Sequence, residues 1–247
     1  MKKASFFDWD GTLTDIKKVF LMNSFSGQLV SKKLFPKDGY LYIEDLRHLY
    51  GQGKISYREA AGKIPEVYAS SLKGINMSDL EMEAASFAGK ILREYVYPYT
   101  KSLVTLMNEY GITIAISGAP EEVVVALGKA LDFDLSCGTI VETKNGICTG
   151  RLKQNLVLKE TKKAVISKLI KENNIDLEKS YAFGDTAEDM PLLSKVENPV
   201  ALNPNRELLA IAKKNRWMTL YSDEDVVNKI NERIKHGRQY NGRYNFS

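Results

Sequence analysis

A short apolar run, Ala4 to Phe7, breaks off into Asp8-Trp9-Asp10-Gly11-Thr12. This is the pattern of a strand buried on both faces whose C-terminal end hands polar residues to a loop. From about Phe20 to Val96 no two-residue alternation appears. Apolar positions recur instead at helical spacing over Leu21–Lys33, Tyr42–Tyr50, Tyr57–Leu72 and Ser78–Tyr95. The last is the clearest: Ser78 followed by Glu81 predicts a capping box, and Leu80, Ala84, Phe87, Ala88, Ile91 and Leu92 keep one stripe. Gly51, Gly53 and Gly74 punctuate this block, and Pro65 predicts a kink or a split in its third helix.

Past Pro98 the period alternates. Lys101–Tyr110 predicts a helix, Ile112–Ile116 a strand, and Pro120 ahead of Glu121 and Glu122 a helix start. Asn145-Gly146 predicts the turn of a hairpin over Ile140–Gly150, in a register that sets Cys148 opposite Thr143 and Cys137 opposite Gln154. Thr161–Glu172 reads as an amphipathic helix, and Tyr181–Phe183 as a strand ending in Gly184-Asp185. Val200–Leu202 and Met218–Leu220 read as short strands around an Arg206–Lys214 helix. Such alternation predicts an α/β fold, a doubly wound and mainly parallel sheet, with the helical block inserted after the first strand. The expected division is a core of residues 1–16 and 97–228, a small helical cap of 17–96 and a basic C-terminal tail of 229–247.

At 247 residues, 44% hydrophobic and 27% charged, the chain is long enough for one sizeable core and a smaller one. No apolar run approaches the ~18 residues of a membrane helix, so no membrane association is expected. Asp8 interrupts the basic start at Lys2 and Lys3 before an apolar leader develops, an expectation against secretion. Two cysteines make no disulfide framework or zinc cluster, and a cytoplasmic setting is expected. The net charge of +4 is matched by the last twenty residues alone, where Lys229, Arg233, Lys235, Arg238 and Arg243 stand against Glu232. The body is therefore neutral, and the tail reads as solvated rather than as a nucleic-acid arm.

In sheets of this kind ligands bind beyond the C-terminal strand ends, and three such ends deliver Asp8 and Asp10, Ser117, and Asp185 with Asp189. Two carboxylates one residue apart can divide the work, Asp8 as nucleophile and Asp10 as acid and base. The plainer reading of Asp10-Gly11-Thr12 is a turn that caps a helix.

With these motifs in order, the sequence resembles the haloacid dehalogenase superfamily in its phosphoserine phosphatase-like branch. Asp8-Trp9-Asp10-Gly11-Thr12 matches the first motif, Ser117-Gly118 the second and Gly184-Asp185-Thr186-Ala187-Glu188-Asp189 the fourth. The third, a lysine, falls by ungapped counting on Lys162, with Lys163 and Lys159 as neighbours that could take its place. The resemblance implies that Asp8 becomes an aspartyl phosphate, that Asp10 protonates the leaving oxygen and then activates water, and that Ser117 and the Gly118 amide hold phosphate oxygens. It further implies that Lys162 offsets charge, that Asp189 orients Lys162 or a metal-bound water, and that Thr12 has a supporting place in the first motif. An anionic nucleophile meets an anionic phosphoryl group only with a cation present. Mg2+ suits Asp8, the Asp10 carbonyl and Asp185 as ligands. Retention of Asp10 favours a phosphatase over a dehalogenase.

The implied activity is Mg2+-dependent hydrolysis of a small phosphorylated metabolite. Phosphoserine phosphatase is the runner-up, with phosphotransfer or non-catalytic phospho-ligand binding behind it. The oligomeric state stays open. Phosphoserine members of the branch carry a Glu where Lys17 stands, so Lys17 is expected to bind substrate and to repel an ammonium group. Their cap Arg aligns with Ile64, although Arg58 is near, and Glu188 stands where they often have Asn. Of the aromatics Phe20, Phe25, Tyr40, Tyr42, Tyr50, Tyr57 and Tyr68, most are expected in the core and one or two in the pocket.

Overall fold

The computed structural model describes residues 1–237. Seven strands form one sheet: β1 (Ala4–Phe7), β2 (Ile112–Pro120), β3 (Leu135–Lys144), β4 (Ile147–Gln154), β5 (Tyr181–Gly184), β6 (Asn198–Leu202) and β7 (Met218–Leu220). Their order is β4-β3-β2-β1-β5-β6-β7, parallel throughout except for the β3–β4 hairpin. From β1 the chain builds outward first to β2 and later, on the other side, to β5. The switch point of the fold therefore lies at the end of β1, where a crevice opens.

Five helices separate β1 from β2, the first four of them in the inserted block: α1 (Leu21–Ser31), α2 (Lys37–Gly51), α3 (Tyr57–Ser71) and α4 (Met77–Glu94). The fifth, α5 (Thr100–Tyr110), leads into β2, and α6 (Glu121–Ala130) follows that strand. The remainder are α7 (Lys159–Glu172), the single turn α8 (Met190–Leu193), α9 (Arg206–Asn215) and α10 (Val226–His236). Among the described residues no helix is long and apolar enough to cross a membrane.

Alternation along the strands sorts the core into two faces. Phe6, Ile114, Ile116 and Ala182 meet Ile166 of α7, Leu192 of α8 and Leu208 of α9. Phe7, Ala115 and Phe183 face the layer holding α5, α6, α10 and the inserted helices, with Phe7 stacked on Phe183 at 4.5 Å between centroids.

Several sequence expectations change in detail. The capping box forms at Ser56–Glu59 and opens α3. α4 starts one residue before Ser78, and its Met77 amide donates to the Gly146 carbonyl of the hairpin turn, so a tertiary contact takes the place of the expected cap. Pro65 lies inside an unbroken α3. Thr143 does pair with Cys148, but two irregularities in the hairpin bring Gln154 opposite Ile140, and Cys137 pairs with Ile116 instead. The predicted tail contributes to α10, which buries Val226, Ile230 and Arg233, and Lys229 pairs with Glu224 at 2.7 Å. An amphipathic face thus draws 229–236 into the fold, whereas Arg238 and Arg243 lie outside the described residues.

Candidate active site

The first strand sets the site. The Asp8 amide donates to the Phe183 carbonyl at 3.1 Å, which ties the start of the loop to the neighbouring strand. The chain then folds back on itself, with the Thr14 hydroxyl and the amides of Leu13 and Thr14 all donating to the Trp9 carbonyl. Gly11 makes the turn at φ +89°, and a Cβ there would sit 2.0 Å from Asp185 Oδ2. Conformation and space both require glycine. Tyr99 Oη and Thr100 Oγ1 donate to the Thr12 and Leu13 carbonyls at 2.6 and 2.7 Å, holding the loop from behind.

Lys162, near the start of α7, is the lysine that reaches this loop: its Nζ lies 3.3 Å from Asp8 Oδ1 and 2.8 Å from Asp189 Oδ1. Lys163 is exposed and Lys159 pairs with Glu188 at 3.2 Å. The second Asp189 oxygen accepts from the amides of Asp185 and Thr186 at 3.1 and 3.2 Å. Thr12 Oγ1 donates to Asp185 Oδ1 at 3.3 Å. Ser117, 2% exposed, accepts the Ala119 amide at 3.2 Å, and both Ser117 and Gly118 border the same cavity as the carboxylates.

The Asp10 carboxylate is positioned by the chain entering α1, accepting the Leu21 amide at 3.0 Å. Burial raises its pKa to about 7 against that hydrogen bond and the positive charge of Arg47. Burial and the charge of Asp189 raise Asp8 to about 8 despite Lys162, and burial with Asp189 and Asp8 holds Asp185 well above the carboxylate range. For Lys162 burial pushes the ammonium down, but the charges of Asp189 and Asp8 outweigh it and raise its pKa.

One lysine thus faces Asp8, Asp10, Asp185 and Asp189, an excess of negative charge that a divalent cation would relieve. Oxygens of Asp8, Asp185 and Asp189 lie within 4.8 Å of one another. With both Asp189 oxygens already engaged, Asp8 and Asp185 are the carboxylates left to ligate. An all-oxygen donor set of this kind fits Mg2+.

The helical layer roofs the site and leaves a cavity of about 450 Å³. Phe20, Tyr50 and Tyr57 line it, three aromatics where one or two were expected, while Phe25 and Tyr68 are core. Lys17 does not border it. Asp15 caps a turn by accepting the Lys17 amide at 3.1 Å, and the Lys17 side chain is exposed. Arg58 is exposed as well, and Ile64 borders the cavity.

The roof's cation is Arg47 of α2, packed over the Phe20 ring at 4.7 Å, which sequence reasoning missed. Its stretch reads as a solvated helix face, but the side chain packs on Phe20 and pairs with Glu44 at 3.5 Å. Asn155 was also missed. Pro65 has no amide for the Ala61 carbonyl, and Asn155 Nδ2 supplies the donor at 3.1 Å, while Tyr57 Oη donates to the Val157 carbonyl at 3.1 Å. The proline therefore leaves an acceptor that latches α3 to the segment before α7.

The haloacid dehalogenase-like hydrolase family model matches residues 5–194. The chain is 25% identical over 222 residues to a putative hydrolase of Mycobacterium leprae, covering 87% of this chain and 71% of that one. It is equally 25% identical over 222 residues to phosphoserine phosphatase SerB1 of Mycobacterium tuberculosis, covering 87% and 69%. A crystal structure of a protein of unknown function from Bordetella pertussis shares the fold at TM-score 0.74 and 20% identity, over 89% of this chain and 99% of that chain.

Proposed function

Since this chain belongs to the haloacid dehalogenase-like hydrolase family, we propose that it is a magnesium-dependent phosphatase that hydrolyses a small phosphorylated metabolite through an aspartyl phosphate on Asp8. One observation carries this reading: Asp8 lies in a buried cluster with Lys162 and Asp189, at the floor of a cavity also bordered by Asp10 and Ser117. In the first half-reaction an Asp8 oxygen attacks phosphorus and the bond to the leaving oxygen breaks as Asp10 gives that oxygen its proton. In the second, water attacks phosphorus, Asp10 takes the water's proton, and the bond to Asp8 breaks to release inorganic phosphate. A pKa of about 7 suits Asp10 to both transfers. Lys162 stabilises charge on Asp8 and on the phosphoryl oxygens, and Asp189 holds Lys162 in place. Mg2+ held by Asp8 and Asp185, with the Asp10 carbonyl, would keep Asp8 ionised and offset its repulsion from phosphate. The inserted helices, residues 17–96, act as a cap that keeps bulk water from the intermediate.

Phosphoserine is the second reading, supported by the name of the Mycobacterium tuberculosis relative. Against it stand Ile64 on the cavity wall and the absence of a carboxylate on the roof. The test is phosphate release from a panel of phosphorylated metabolites with Mg2+ present. Release is expected from at least one ester, to fall more than about a thousandfold in Asp8→Asn and to stop in excess chelator. No release from any ester would overturn the reading.

A further inference from the structure

α3 sets Tyr57, Ala60, Ala61, Ile64 and Pro65 along the cavity at positions i, i+3, i+4, i+7 and i+8, one continuous stripe of the helix. Its charged residues Arg58, Glu59, Lys63 and Glu66 are all on the exposed side. The one polar atom on the stripe, Tyr57 Oη, is already committed to the Val157 carbonyl. Ala60 and Ala61 contribute only a methyl group each at the middle of the wall, which leaves the space beneath α3 empty. Among the described residues, the one charged side chain that the helical layer brings to the cavity is Arg47, a cation.

These features differ from what a polar or amine-bearing leaving group needs. A sugar needs several donors and acceptors, and the stripe has none to spare. An ammonium group needs a carboxylate: the roof offers a guanidinium, and of the two glutamates that also border the cavity Glu188 is paired with Lys159 at 3.2 Å and Glu207 is exposed. Apolar surface gains from burial wherever it is removed from water. We propose that this wall selects phosphomonoesters of bulky apolar alcohols, aromatic or alkyl, and rejects those bearing an ammonium group beside the ester. The inference rests on the phosphatase reading above and names its substrate class.

The experiment compares kcat/KM for n-alkyl phosphates from ethyl to hexyl, and for propyl phosphate against phosphoethanolamine, which differ by a methyl in place of an ammonium group. Each buried methylene should raise kcat/KM by about fourfold, and propyl phosphate should exceed phosphoethanolamine by at least about tenfold. In Ala61→Leu, and in the smaller change Ala61→Val should the first fail to fold, the hexyl-to-ethyl ratio should fall by about tenfold or more as the added atoms fill the space. A flat chain-length series, or phosphoethanolamine turned over as well as propyl phosphate, would overturn the inference and leave the phosphatase reading intact. If no ester releases phosphate, calorimetry with hexylphosphonate and 2-aminoethylphosphonate in Mg2+ decides the chamber separately. Tighter binding of the hexyl compound supports it, and equal or no binding refutes it.

Discussion

Glu122 opens α6 at 7% exposure and accepts a hydrogen bond from Tyr68 of α3, so a carboxyl group is buried where the inserted helices meet the sheet layer. Burial pushes its pKa from 4.5 up to about 7, against the pull of the Tyr68 hydrogen bond. Because the folded value is the higher one, the native chain holds a proton that the unfolded chain has released between 4.5 and about 7, and stability falls as pH rises through that window. A shift of this size is worth roughly 3 kcal/mol when fully developed, of which about 2.5 kcal/mol appears between about pH 5 and pH 8. Glu122→Gln keeps an acceptor for Tyr68 and removes the titration. Urea unfolding should find the variant within about 1 kcal/mol of wild type near pH 5 and about 3 kcal/mol more stable near pH 8. Stability curves for the two proteins that run parallel across that range would refute the reasoning.

Gly11→Ala must relieve both a left-handed turn and a collision with Asp185, so phosphate release should fall at least about a hundredfold, read as kcat/KM, and Mg2+ binding measured by calorimetry should weaken. Asp10→Asn should retain Mg2+ binding while losing roughly a hundredfold or more in kcat, because the acid and base is gone; an unchanged kcat would remove Asp10 from that role. Asn155→Ala leaves the Ala61 carbonyl buried without its donor and should cost about 1 to 3 kcal/mol in urea unfolding. Lys17→Glu should leave the preference between propyl phosphate and phosphoethanolamine within about twofold, since a solvated charge outside the cavity contributes little.

What the sequence disclosed follows the range of the forces involved. The order of strands and helices is local patterning, and Asp8, Ser117 and Asp185 were found because each sits at the end of an apolar run that had to be a strand. Lys162 was found by counting back from Gly184-Asp185, and its burial separates it from Lys163. The rest depended on contacts distant in sequence. Ser78-x-x-Glu81 and Ser56-x-x-Glu59 are equal as strings, and only the Gly146 carbonyl, some seventy residues away, decides that α4 begins elsewhere. The irregularities of the β3–β4 hairpin carry no residue signal, so the register shifts between Thr143 and Val141 and again between Val141 and Ile140. Arg47 looked like any solvated arginine on a helix, and Pro65 like a break, until Phe20 and Asn155 supplied their partners.

The hairpin's grip on the turn between α3 and α4 makes the two ends of the inserted layer unequal in strength. Gly74 donates to Cys148, Cys148 to Ile75 and Met77 to Gly146, at 2.9, 2.9 and 2.8 Å, so the inserted layer is stitched to the sheet by main chain far from the carboxylates. A hinge that swung all four helices as one body would have to rip out those stitches together with the Tyr68–Glu122 contact, at roughly 1 kcal/mol net for each hydrogen bond. At the opposite end, the α2–α3 connection is exposed from Gly51 to Lys54 and α3 is held near the cavity by the side chains of Asn155 and Tyr57. The inserted layer is thus fastened by main chain along one seam and by two side-chain hydrogen bonds at the edge beside the cavity, so that edge is the one whose release would break the fewest bonds.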